Sequence, residues 1–78
     1  MTRPLLEFVT EWLVDHPEDV AIEEVEGDQG QLILELSVHP DDVGKVIGKR
    51  GRIIRALRTL AKAAGQRKGT PVTVEVVD

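Results

Sequence analysis

The chain has 78 residues, no cysteine and a formal net charge of −4. That length bounds it to one small domain with a modest core. The missing cysteines exclude a disulfide framework and any thiolate metal site. With one Phe, one Trp and no Tyr, Leu, Ile and Val must build the core. No apolar run approaches the ~20 residues that a membrane helix needs. Glu7, Glu11 and Asp15 break up the apolar residues near the start, so no signal-peptide core is expected there. The expectation is a soluble cytoplasmic protein with no membrane partner.

Residues from about Arg3 to Asp15 read as an amphipathic helix. Leu5, Phe8, Val9, Trp12 and Leu13 fall on one face at helical spacing, and Glu7, Thr10 and Glu11 on the other. Phe8 and Trp12 are therefore expected in the core. Thr2 suits the N-cap and Pro4 the first turn. His16-Pro17 stops the helix, because the residue before proline is pushed out of helical geometry. Val20–Glu26 reads as a strand, Gly27–Gly30 as a turn and Gln31–Val38 as a second strand with Leu32, Leu34, Leu36 and Val38 at period two. Together they predict an antiparallel hairpin. Pro40-Asp41-Asp42 opens a short helix to about Ile47, with its acids at the positive helix end. A longer helix follows Gly51 to about Ala64, buries Ile53, Ile54, Leu57, Leu60, Ala61 and Ala64, and stops at Gly65. Val72–Val77 is the last strand, with Val72, Val74 and Val76 inward. The element order is α-β-β-α-α-β in one domain, residues 1–78. A right-handed crossover returns the last strand parallel to the second. This predicts an α+β fold: a three-stranded mixed sheet in order 1-2-3 with the helices on one face.

Charge is strongly segregated. From Lys45 to Lys68 the chain has nine Lys/Arg and no Asp or Glu, and only Arg3 is basic elsewhere. An anionic partner is the first implication. In the middle of this stretch stands Val46-Ile47-Gly48-Lys49-Arg50-Gly51-Arg52-Ile53-Ile54. Two glycines flank two cations between apolar pairs, which predicts a tight turn joining two helices. Glycine permits close backbone approach. The N–H groups opening the long helix can face phosphate oxygens, while Lys49 and Arg50 add full charges. Val46, Ile47 and Ile54 are expected to line an aliphatic groove for bases. Arg52, Arg55, Arg58 and Lys62 form a basic helix face without interleaved acids, unlike a surface helix built for i,i+4 pairing. Lys45 and Arg67-Lys68 are secondary candidates.

Ile47-Gly48-Lys49-Arg50-Gly51-Arg52-Ile53-Ile54 resembles the I-G-x-x-G-x-x-I signature of KH domains, whose GXXG loop clamps about four nucleotides of single-stranded nucleic acid. The element order resembles the type II arrangement of that fold. The Pro40–Lys49 run and the Val72–Val77 ending resemble the small stand-alone bacterial KhpA family. For this chain the resemblance implies single-stranded RNA as partner, with Gly48, Lys49, Arg50, Gly51, Arg52, Arg55, Val46, Ile47, Ile54 and Lys45 as the RNA-binding residues. It also implies RNA-chaperone activity, a homodimer or a heterodimer with a KhpB-like KH/R3H protein, and a link to cell-wall synthesis and cell shape.

Other chemistries fit less well. Gly44–Arg50 is one residue short of a nucleotide-binding P-loop and lacks its Ser/Thr. Asp15-His16 and His39 with Asp41 lack a nucleophile, and a helix end and a turn explain them, so no enzyme is expected. Asp41-Asp42 suits helix-end electrostatics better than a metal site, and no cofactor is implied. The alternatives are a DNA-binding module and a protein-interaction adaptor using the same basic helix face.

Overall fold

The period-two run of leucines becomes the middle of a sheet. In the computed structural model, which describes residues 2–77 apart from the side chains of Thr2 and Lys68, β2 (Leu32–Ser37) lies between β1 (Ala21–Glu26) and β3 (Val72–Val76). β1 pairs with it antiparallel and β3 parallel. The register sets Ile22 against Leu36 and Leu34 against Val74, all four buried. These residues share the face covered by α1 (Thr2–Leu13), α2 (Val43–Ile47) and α3 (Arg52–Lys68), which add Leu6, Val46, Ile54, Leu57 and Ala61 to the core. On the other face Glu23, Glu35 and Glu75 stand in one row across all three strands. The α-β-β-α-α-β order and the mixed 1-2-3 sheet are as expected.

Three local expectations are corrected. The first concerns which face of α1 points inward. Leu6, Thr10 and Val14 are buried, whereas Phe8 is 61% exposed and Trp12 78% exposed. Apolar residues occupy two adjacent arcs of this helix, and tertiary contact selects the one with less aromatic surface. Thr10 Oγ1, placed on the polar side by periodicity, is buried without a hydrogen-bond partner. The side chain of Thr2, the proposed cap, lies outside the described structure.

The second concerns the end of α3. The helix does not stop at Gly65 but continues to Lys68, with left-handed Gly69 (φ 73°) receiving it. Gly65 is a contact residue. A Cβ there would lie 2.6 Å from Val72 Cγ2 and closer still to the Thr70 carbonyl oxygen. Its own carbonyl accepts the Thr70 N–H at 2.9 Å. The missing side chain lets β3 enter tightly against the helix that precedes it.

The third concerns Leu60, expected inside and found 46% exposed. Arg58, on the opposite flank of α3, donates Nε–H to the Val74 carbonyl at 3.0 Å. This satisfies an outer group of β3, an edge strand.

Candidate nucleic-acid interface

The glycine turn emerges where α2 hands over to α3. Gly48 donates its N–H to the Gly44 carbonyl at 2.9 Å, closing α2, and adopts φ 77°, ψ 173°. That region is essentially restricted to glycine. A Cβ at Gly48 would stand 2.7 Å from Ile53 Cγ1, so conformation and space both demand glycine. Lys49–Gly51 form a single 3-10 turn in which Gly51 N–H reaches the Gly48 carbonyl at 3.1 Å. Arg50 is left-handed at φ 56°, ψ 26°, the one non-glycine residue with positive φ among the described residues. Holding a long side chain there costs roughly 1–2 kcal/mol, and the turn presents the Arg50 guanidinium at its tip in exchange. Gly51 (φ 71°, ψ 20°) is the N-cap of α3. The first-turn N–H groups of that helix follow directly, where an anion is favoured by both hydrogen bonding and helix dipole.

Lys49, Arg50, Arg52 and Arg55 are exposed. None of the ion pairs formed among the described residues involves them. Their charges are therefore uncommitted within the fold. Lys45 differs, because its ammonium is held by Asp15 and by Asp42, the latter at 3.3 Å. It belongs to the scaffold. The groove residues also divide. Val46 and Ile54 are core side chains with almost no surface and cannot touch a base, contrary to expectation, because helical periodicity turns both toward the sheet. Ile47 stays half-buried beside the turn, and so does Ile53, which the sequence had placed in the core.

Asp42 is the buried residue that local pattern did not mark. Its side chain has no exposure, yet it accepts the backbone N–H of His16 at 3.0 Å, faces His16 Nδ1 at 3.0 Å and receives Lys45. Burial pushes its carboxyl upward, but hydrogen bonds from His16, from backbone N–H groups of Asp15 and His16 and from Lys45 outweigh this and hold it at about 2. The hydrogen bond to Asp42 raises His16 above its ordinary 6.5. His39 stacks on the His16 ring at 3.9 Å between centroids and accepts the Asp41 N–H on Nδ1. This cluster ties the end of α1 to the start of α2, and so fixes the helix that carries the turn. No group of three or more metal-binding side chains forms among the described residues.

The shifts predict the pH dependence of stability. His16, raised, contributes fully below about pH 6.5 and loses its contribution as pH climbs through its folded value. Asp42, lowered from 3.8 to about 2, contributes above about pH 4 and is lost as pH falls through about 2. Thermal melts of wild type and Asp42→Asn across pH 3–9 test this. The stability difference between the two should be largest between about pH 4 and 6.5 and shrink on both sides. A constant difference would show that the cluster does not titrate with folding.

The family model of the KhpA/KhpB KH domain matches residues 3–76. This chain belongs to the KhpA/KhpB KH-domain family. RNA-binding protein KhpA of Clostridium perfringens is 49% identical over 75 residues, covering 96% of this chain and 99% of that protein. KhpA of Clostridium acetobutylicum has the same identity and coverage, and KhpA of Aquifex aeolicus is 41% identical over 76 residues. KhpA/KhpB is a KH-domain family and not an enzyme family. Among solved structures, Era in complex with MgGDPNP and nucleotides 1506–1542 of 16S ribosomal RNA superposes with a TM-score of 0.62 at 21% identity, over 96% of this chain and 28% of Era. That likeness concerns the fold, and it agrees with the type II KH architecture described above.

Proposed function

We propose that this chain is a non-enzymatic, cytoplasmic binder of single-stranded RNA that uses the Gly48–Gly51 turn as its clamp. The observation that carries the reading is the turn itself: a glycine-only backbone at Gly48 and uncommitted cations at Lys49, Arg50, Arg52 and Arg55 around the start of α3. The sugar–phosphate backbone lies against Gly48 and Gly51, phosphate oxygens take the N–H groups and cations, and Ile47 and Ile53 meet the bases. The relatives' name, RNA-binding protein KhpA, supports the same ligand. Contact of this kind selects weakly among sequences, which suits an RNA chaperone. One such site binds modestly, so a second site supplied by a homodimer or by a KhpB-like KH/R3H partner would raise avidity through effective concentration. A role in cell-wall synthesis and cell shape is the pathway-level extension of this proposal.

The test is binding of a short single-stranded RNA followed by fluorescence anisotropy across salt. With Lys45 held by Asp15 and Asp42, three or four cations remain for phosphate. Log K should then fall against log salt with a slope of about −2 to −3. A flat response, or equal preference for duplex DNA, would overturn the mechanism.

A further inference from the structure

The basic flank of α3 runs on well past the turn. Arg52, Arg55, Arg58, Lys62 and Gln66 follow one another at spacings of three or four and are all exposed, so they form one stripe along the helix. From Arg52 to Gln66 that stripe is about 21 Å long. A clamp at the Gly48–Gly51 turn holds about four nucleotides at one end of it. At the other end, where α3 gives way to β3, lies an open hollow of about 570 Å³. That is the size of a small-molecule pocket.

The hollow is built from unlike parts. Lys62 and Gln66 stand one helical turn apart on its α3 side, and Thr70, Pro71 and Thr73 wall it on the side of the loop and β3. Lys62 takes part in none of the ion pairs formed among the described residues. No acid stands among the described residues that line the hollow. The strand adds backbone groups. β3 is an edge strand, and its pairing with β2 uses alternate residues. The Pro71 carbonyl accepts the Leu32 N–H at 2.8 Å, and Val77 donates its N–H to the Leu36 carbonyl at 2.9 Å. In a parallel ladder residues of one parity face the partner strand, so Val72, Val74 and Val76 turn N–H and C=O to the free edge. Arg58 takes the Val74 carbonyl at 3.0 Å. The Val72 donor and acceptor open beside the hollow, which Val72 helps to line.

We propose that this hollow is a second nucleotide site for the same RNA strand, taking a nucleotide beyond those held at the turn. It rests on the reading of the turn as an RNA clamp and lengthens the footprint of that clamp along α3. A nucleotide has a partner for each part of the hollow. Its phosphate meets the Lys62 ammonium, which binds it as a point charge. Its base meets the Val72 N–H and C=O and the Gln66 amide, a set of donors and acceptors suited to the Watson–Crick or Hoogsteen edge of an unpaired base. Pro71 gives the ring face an apolar wall. A simple anion would use the ammonium and leave these edge groups idle. Between the two sites Arg55 and Arg58 accompany the connecting phosphates. On the outer sheet face Glu75 stands in one row with Glu35 and Glu23 and repels the strand from crossing the sheet, so its path stays on the edge.

Single-stranded RNAs of about four and about eight nucleotides separate the sites. The longer strand offers the clamp extra registers, which alone raise apparent affinity at most about fivefold. Wild type should gain more than about twentyfold, with a salt slope steeper by about 0.7 for each added phosphate contact. Lys62→Ala combined with Gln66→Ala replaces two exposed side chains with a strong helix former. This variant should keep the wild-type circular dichroism spectrum, hold the affinity for the shorter RNA within about twofold, and lose the excess gain. In NMR spectra the amide signals of Val72 and Thr73 and the Gln66 side-chain amide should shift with the longer RNA and not with the shorter. A wild-type gain of about fivefold or less would overturn the proposal, as would an equal gain in the double variant. So would hollow signals that shift as strongly with adenosine monophosphate alone, which would make this a pocket for free nucleotides. Binding of the shorter RNA would keep the clamp standing in each of these cases. Shifts at the hollow with the longer RNA while the Lys49 and Arg50 signals stay still would instead count against the clamp and leave the far site standing.

Discussion

Reversing both loop charges, Lys49→Asp with Arg50→Asp, is expected to cut affinity for single-stranded RNA roughly a hundredfold at low salt. Each cation can make a charge-assisted contact of about 1.5–3 kcal/mol with phosphate. Losing two of the weaker kind corresponds to about two decades in Kd, and the introduced carboxylates add repulsion. The salt slope should become shallower by about 1.4, two phosphates' worth for a single strand. The fold should be unaffected. Both residues are exposed and make no ion pair among the described residues, and Asp tolerates the left-handed conformation of Arg50. Anisotropy titrations with circular dichroism on the same samples check both halves. Unchanged binding by the folded variant would move the site away from the turn, to the basic flank of α3 or to another surface.

The largest single-residue effect on stability near the site is expected at Gly48. Gly48→Ala forces an L residue to φ 77°, ψ 173° and places its Cβ 2.7 Å from Ile53 Cγ1. Backbone strain and overpacking together should cost about 2–4 kcal/mol. For a domain of this size that lowers Tm by roughly 10–20 °C. Gly51→Ala is the internal control. Its φ of 71° is also left-handed, but the nearest side-chain atom to a Cβ there is Ile54 Cγ2 at 3.8 Å, an ordinary contact. It should cost only about 1 kcal/mol. Equal melting temperatures for the two variants would show that Ile53 moves aside freely and that the contact does not define the turn.

Placed together, these expectations describe a turn whose shape and charge have separate causes. Gly48 and Gly51 set the path of the backbone. Lys49 and Arg50 set what it attracts. The cluster around Asp42 holds α2, and with it the turn, against the end of α1. The acids of the outer sheet face, Glu23, Glu35 and Glu75, lie in one row away from the helices. A polyanion is therefore expected to be drawn to the turn and the basic flank of α3 and repelled from the outer face of the sheet, although the chain as a whole is acidic.

The sequence by itself determined the element order, the pairing of the strands and the place of the turn. These depend on local signals. The alternation of Leu32, Leu34 and Leu36, proline before a helix and glycine after one act through a few neighbouring residues. The uncommitted cations were legible too, because no acid stands among them in the chain. What only the tertiary structure decided is how faces are used. Two apolar arcs on α1 satisfy helical periodicity equally, and the surface formed by the sheet and α3 selected Leu6, Thr10 and Val14 over Phe8 and Trp12. Val46 and Ile54 turned inward as core, and Lys45 turned to Asp15 and Asp42. Gly65, which reads as a stop, became the point where β3 crosses close to α3. Each of these outcomes depends on partners distant in the chain. His16 and Asp42 are 26 residues apart, and no periodicity or turn preference in one segment carries information about the other.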